Sequence, residues 1–219
     1  MESKSVLIIL GGTWHDFDGF AATMRPVFER AGYIVETTYE LEALTRLDKT
    51  DCKAVLMYTC LTEQQEDGRP ATLKHSDTQV TALVEWVRAG GGLLAAHAAT
   101  VAGQSSPALR ALMGGVFVTH PPAFAFTVYP LYRGHPITAG IEAFTVHDEL
   151  YVQEYDADVE VHAVTVDRGV AYPMVWSRSE GRGRVVHIAP GHGPEVWSLK
   201  PYQRMMQQAL DWLTQETNQ

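Results

Sequence analysis

The sequence predicts an α/β protein: a doubly wound, mostly parallel sheet in a three-layer sandwich, with an antiparallel portion added in the C-terminal half. Three observations carry this. Val6-Leu7-Ile8-Ile9-Leu10 is an unbroken aliphatic run closed by Gly11-Gly12, the pattern of a strand covered on both faces. Apolar runs then alternate with segments of helical period as far as His97, which calls for crossover units. Beyond His97 the runs shorten and alternate in polarity, as antiparallel strands do.

In order, Val6–Leu10 is the first strand and Thr13-Trp14-His15-Asp16 the loop after it. Phe20, Met24, Val27, Phe28 and Ala31 share one helix face, Gly32 ends that helix, and Pro26 should kink it or mark its first turn. Tyr33–Thr38 and Ala54–Tyr58 are the next strands. Residues 61–75, with Gly68 and Pro70, read as a surface excursion. Ser76 or Asp77 caps a helix that buries Val80, Leu83, Val84 and Val87. Gly90-Gly91-Gly92 stops it, and Leu93-Leu94-Ala95-Ala96 delivers His97 between small residues, the setting of a tight strand-to-helix turn.

In the second half, Pro107–Met113 is a short helix and Val116–Val118 a strand. Phe124, Phe126 and Val128 alternate on a strand expected near a sheet edge, where Phe124-Ala125-Phe126 offers a seam for a homodimer. Val159–Val166, Tyr172–Trp176 and Arg184–Ile188 are further strands, and Tyr202, Met205, Ala209, Leu210 and Leu213 line a closing helix. No linker, repeat or low-complexity tract divides the chain, so residues 1–219 read as one domain.

Composition narrows the partners. A net charge of −9 opposes phosphate backbones and anionic lipid, so neither nucleic acid nor a membrane surface is expected. The first apolar run is too short for a leader or a membrane span. Cys52 and Cys60 form no metal-type pair and read as thiols of a reducing compartment, which makes the cytoplasm the expected location. No G-x-G-x-x-G follows a strand, and neither NAD nor flavin is expected.

Nine histidines are present, and His15, His97 and His192 each follow a predicted strand. If those strands are parallel, the three imidazoles converge beyond their carboxyl ends, where open sheets bind ligands. Three protein ligands and one open position make a catalytic metal site, zinc being the first candidate for imidazole. Asp148 and Glu149 then offer acid/base carboxyls, with His97 a shared catalytic residue. Trp14 and Trp197 suit stacking against a sugar ring, with Asp16 and Tyr151 as polar substrate contacts. His120 reads as a turn residue in preference to a fourth ligand, and His135, before Pro136, as structural.

Several stretches together resemble the ThuA-like (trehalose utilisation) family: Gly90-Gly91-Gly92 with His97-Ala98-Ala99; His135-Pro136-Ile137-Thr138 with Gly140; Asp148-Glu149-Leu150-Tyr151; Pro173-Met174-Val175-Trp176; and Gly183-Arg184-Val185, Gly191-His192 and Trp197. The resemblance implies a class I glutamine amidotransferase-like, flavodoxin-like sandwich and a link to carbohydrate metabolism. Those amidotransferases carry cysteine where this chain has His97, and thioester chemistry needs a thiolate positioned by its base. Glutaminase activity is therefore not expected. The sequence reading is a metal-assisted hydrolase, lyase or isomerase on a sugar derivative. Its rivals are a non-catalytic sugar-binding or regulatory protein and an accessory subunit of a sugar-oxidising enzyme.

Overall fold

The computed structural model describes residues 4–60, 62–64, 70–72, 75–131 and 134–215. Part of the excursion expected over 61–75, Gly68 included, lies outside them. The parallel half of the main sheet holds β1 (Lys4–Gly11), β2 (Tyr33–Thr38), β3 (Cys52–Thr59), β6 (Gly92–Ala96) and β13 (Gly183–Ile188). Short strands β4 (Thr62–Gln64) and β5 (Pro70–Thr72) pair with each other. The antiparallel half is β12 (Val170–Glu180), β11 (Glu160–Asp167), β8 (Phe124–Pro130) and β9 (Phe144–Asp148). The complete order is β2-β1-β3-β6-β13-β12-β11-β8-β9. A separate pair joins β7 (Gly115–Thr119) to β10 (Val152–Tyr155).

Strand alternation explains why helices cover both faces. Val6, Ile8 and Leu10 of β1 pack into one core with Phe20, Met24 and Phe28 of α1 (Phe17–Arg30) and Met206 and Leu210 of the C-terminal helix α4 (Lys200–Leu213). Ile9 of the same strand faces a second core with Leu83 and Val87 of α2 (Asp77–Arg88) and Leu109 and Leu112 of α3 (Pro107–Met113). Each such fully buried aliphatic side chain contributes about 1.5–3 kcal/mol relative to exposure. An unbroken apolar run is thus what a two-sided strand requires.

Two local details differ from the sequence reading. Pro26 lies well inside α1 and not in its first turn; the helix continues to Arg30 with Pro26 on its exposed outer side. Leu41–Lys49, unassigned from sequence, is a 3-10 helix that buries Leu44 and Leu47. β8 lies next to the sheet edge, as its alternation implied: Phe124–Val128 pair with the edge strand β9, and β11 pairs only with Tyr129 and Pro130 at its far end. Ser76 caps α2 in a reciprocal capping box with Gln79.

Candidate metal centre

Strands β1, β3, β6 and β13 are neighbours and parallel, so the loops after them open on one rim. Three of those loops carry histidine. The His15 ring centre lies 5.1 Å from that of His97 and 4.8 Å from that of His192, and His97 and His192 are 5.6 Å apart. Glu149 joins them: one ligand atom from each of His15, His97, Glu149 and His192 falls within 4.8 Å of all the others.

Each imidazole is set by its own backbone. His97 follows β6 directly, at φ +43, and opens a 3-10 helix over His97–Gln104. That left-handed conformation is rare for a side-chain-bearing residue and turns the ring into the rim. Its Nδ1 lies 2.7 Å from the Ala189 carbonyl, which can only accept, so Nδ1 carries the proton. The Nε2 lone pair is left facing the cluster, fully buried and without a hydrogen-bond partner among the described residues. His15 repeats the pattern: Nδ1 donates to the Thr13 carbonyl at 3.2 Å, and Nε2 is buried and unpartnered. A second-nitrogen bond to carbonyl is how metal-binding histidines are oriented.

His192 is held from behind. The Asp148 carboxylate accepts the backbone N–H of Gly191 at 2.7 Å and of His192 at 3.1 Å. Tyr58 and Trp197 both donate to the Gly191 carbonyl, at 2.9 and 2.6 Å. Gly191 is required here: at φ +145 a side chain would be strained, and its Cβ would stand 2.8 Å from the Tyr202 hydroxyl. His192 Nδ1 is 3.2 Å from Glu149 Oε2, close but poorly aligned for a hydrogen bond.

Electrostatics sort the four groups. Burial, reinforced by the neighbouring His97 and His192, lowers the His15 pKa to about 3, so its imidazole is neutral. Burial alone would raise Glu149, but His192 and His97 outweigh it and hold the carboxyl below the usual range. The same contact with Glu149 raises His192 despite its partial burial. Burial raises Asp148, against His97 and the backbone N–H groups it accepts.

The remaining candidates divide. Tyr151 is 3 % exposed and packs on His97 at 4.2 Å between ring centres, a wall of the site. Trp14 is 58 % exposed on the rim and turned away from the core. Asp16 is the N-cap of α1, accepting the Gly19 N–H at 2.8 Å through Oδ1. Trp197 is 1 % exposed, and the stacking floor expected of it is excluded by that burial; it props the Gly191 carbonyl. Asp148, expected to be catalytic, spends both oxygens on backbone N–H groups and positions the His192 loop.

His120, expected as a turn residue in preference to a fourth ligand, reaches Glu149. Its Nε2 is 3.6 Å from Glu149 Oε1, on the side away from the three-histidine cluster, and it is about one-third exposed. Only its place in a loop beside two prolines marked it, and that pattern reads equally as a turn. A second group, His135, Glu160 and His162, also lies within ligand range. There His135 Nδ1 accepts the Ile137 N–H, which puts the proton of the neutral ring on Nε2 and spoils it as a ligand.

A family model described as trehalose utilisation matches residues 5–213. The chain belongs to the ThuA family. No curated protein matches it. Among solved structures, a ThuA-like protein of Parabacteroides merdae ATCC 43184 superposes with a TM-score of 0.79 at 15% identity, covering 97% of this chain and 90% of that one. A ThuA-like protein of Bacteroides uniformis ATCC 8492 gives 0.73 at 19% identity, covering 97% and 93%. A cytoplasmic protein of Salmonella typhimurium LT2 gives 0.71 at 12% identity, covering 96% and 100%. At these identities the likeness establishes the fold of this ThuA-family chain. Among its described residues no helix is long and apolar enough to cross a membrane.

Proposed function

We propose that this ThuA-family protein holds a divalent cation, zinc by the nature of its donors, and uses it on a sugar derivative in a hydrolysis, elimination or isomerisation. The observation that carries the reading is the pair of orphaned Nε2 atoms, on His15 and His97, aimed into one cluster with their Nδ1 atoms tied to carbonyls. Buried polar atoms without partners are costly and rare, and an imidazole lone pair in that state suits a cation. His15 Nε2, His97 Nε2 and His192 Nδ1 are the assigned ligands.

A cation bound there would polarise a carbonyl or lower the pKa of bound water to about 7. The chain's own residues supply the rest. Glu149 stays ionised and takes a proton from water or from a carbon beside a carbonyl, through the oxygen that faces the cluster. Its other oxygen faces His120, whose Nε2 is 3.6 Å away. Tyr151 excludes water behind His97.

The family description supports a role in carbohydrate metabolism. The parallel order with an imidazole at the strand-to-helix elbow supports a class I glutamine amidotransferase-like sandwich that has exchanged its thiol. The free thiol of Cys52 supports a cytoplasmic location. The test is product detection from native and oxidised disaccharides, incubated with the protein and added zinc or manganese. Metal-dependent turnover that disappears in Glu149→Gln supports the reading. Sugar binding without turnover, unchanged by chelation, would favour a non-catalytic binding protein.

A further inference from the structure

Resting on the metal-centre reading above, we propose that Cys60 is a positioning residue of that centre, holding His15 in ligand geometry through the Thr13 carbonyl. Cys60 follows β3 on the rim and is 4 % exposed. Its thiol donates to the Thr13 carbonyl at 2.9 Å, and its sulfur accepts the Thr13 N–H at 3.3 Å. One residue back, the Thr59 hydroxyl donates to the Gly11 carbonyl at 2.6 Å, and the Cys60 N–H reaches the same oxygen at 3.1 Å. The end of β3 thus grips the loop after β1 at two successive points.

The second point matters for chemistry because His15 uses it as well. Its Nδ1–H donates to the same Thr13 oxygen that accepts the Cys60 thiol. Between Thr13 and His15 stands Trp14 at φ +79, a left-handed conformation that a residue with a Cβ does not favour. That reversal sends Trp14 outward and His15 inward. Without the clamp the loop relaxes towards ordinary dihedrals, and the Thr13 oxygen no longer fixes which nitrogen of His15 carries the proton. Cys60 therefore acts on the centre from behind its ligand, touching none of the reacting atoms.

The experiment compares Cys60→Val, which keeps the volume and removes the hydrogen bonds, with Cys60→Ser, which keeps a donor and an acceptor. Zinc affinity is read by competition with a chromophoric chelator, and the His15 ring nitrogens by 15N NMR of the metal-free protein. Loss of a supporting contact of this kind weakens metal affinity by about 10–100-fold. That loss is expected in Cys60→Val, with most of it recovered in Cys60→Ser. The metal-free wild type should show His15 protonated at Nδ1, and Cys60→Val a mixture of tautomers. Wild-type affinity and an unchanged His15 tautomer in a folded Cys60→Val would overturn the clamp. A wild-type protein without zinc affinity would remove the centre, while the His15 nitrogens would still decide whether Cys60 orients that ring.

Discussion

The Asp148 carboxylate and the backbone N–H of His192 meet at 3.1 Å, and this contact ties the antiparallel half of the sheet to the parallel half at the candidate centre. Asp148 ends β9, at the outer edge, whereas His192 follows β13, four strands away in the sheet. The next residue, Glu149, is thereby carried to the three imidazoles.

Asp148→Asn tests this tie. The amide keeps one acceptor and turns a donor against a backbone N–H. Hydrogen bonds to a charged group are worth about 1.5–3 kcal/mol each. A loss of about 2–4 kcal/mol is expected in urea unfolding, with metal affinity reduced alongside it through the loosened His192 loop. Unchanged stability would mean that the loop is held elsewhere.

Trp197 is a prop and not a sugar platform, so Trp197→Phe should lower stability by about 1 kcal/mol, the net worth of the lost indole hydrogen bond. Thermal unfolding without ligand reads this. A surface platform would leave the unliganded protein unaffected.

His187 predicts an acid limb of stability. The ring is completely buried, donates from Nδ1 to the Ala95 carbonyl at 2.9 Å and accepts the Gln153 amide at Nε2 at 3.0 Å. Protonation would set two donors face to face. Burial, against the Ala95 bond and with His97 assisting, lowers its pKa from 6.5 to about 3. The unfolded chain takes up this proton below about 6.5 while the folded chain refuses it, so stability is full above that pH and falls below it. Between pH 7.5 and 5.5 one such group removes about 1.4 kcal/mol. His15 and His75, lowered to about 3 and about 4, act in the same direction. Urea midpoints at the two pH values should fall together more closely in His187→Gln, by about that amount.

Gly191→Ala tests how tightly the His192 loop is built. The added methyl would stand 2.8 Å from the Tyr202 hydroxyl and 3.3 Å from the His97 Cβ, at a φ that disfavours any side chain. A loss of about 1–3 kcal/mol is expected from the backbone strain alone. Unfolding by urea measures it, and a stable variant would show that the loop adapts.

Much of this was legible in the residues. Val6–Leu10 and Leu93–Ala96 announced two-sided strands by being unbroken, and the parallel order then brought the loops of His15, His97 and His192 together. What sequence could not show is direction. Asp16 and Asp148 have the same carboxylate as a catalytic acid, yet one caps a helix and the other binds a loop backbone. Trp197 sits beside His192 in the chain, yet its indole points into the core. The reverse holds for His120, whose approach to Glu149 depends on how the β7–β8 loop folds back, a long-range fact with no local pattern. Leu41–Lys49 escaped because a 3-10 segment has a period that neither helix nor strand templates match.

Metal content, measured by elemental analysis on protein purified without an affinity tag and reloaded with one equivalent of zinc, tests the centre most directly. The account predicts one tightly held ion per chain, lost in both His97→Ala and His15→Ala while the fold persists. A chain that retains no ion after desalting, or one that keeps it undiminished in both variants, would contradict it.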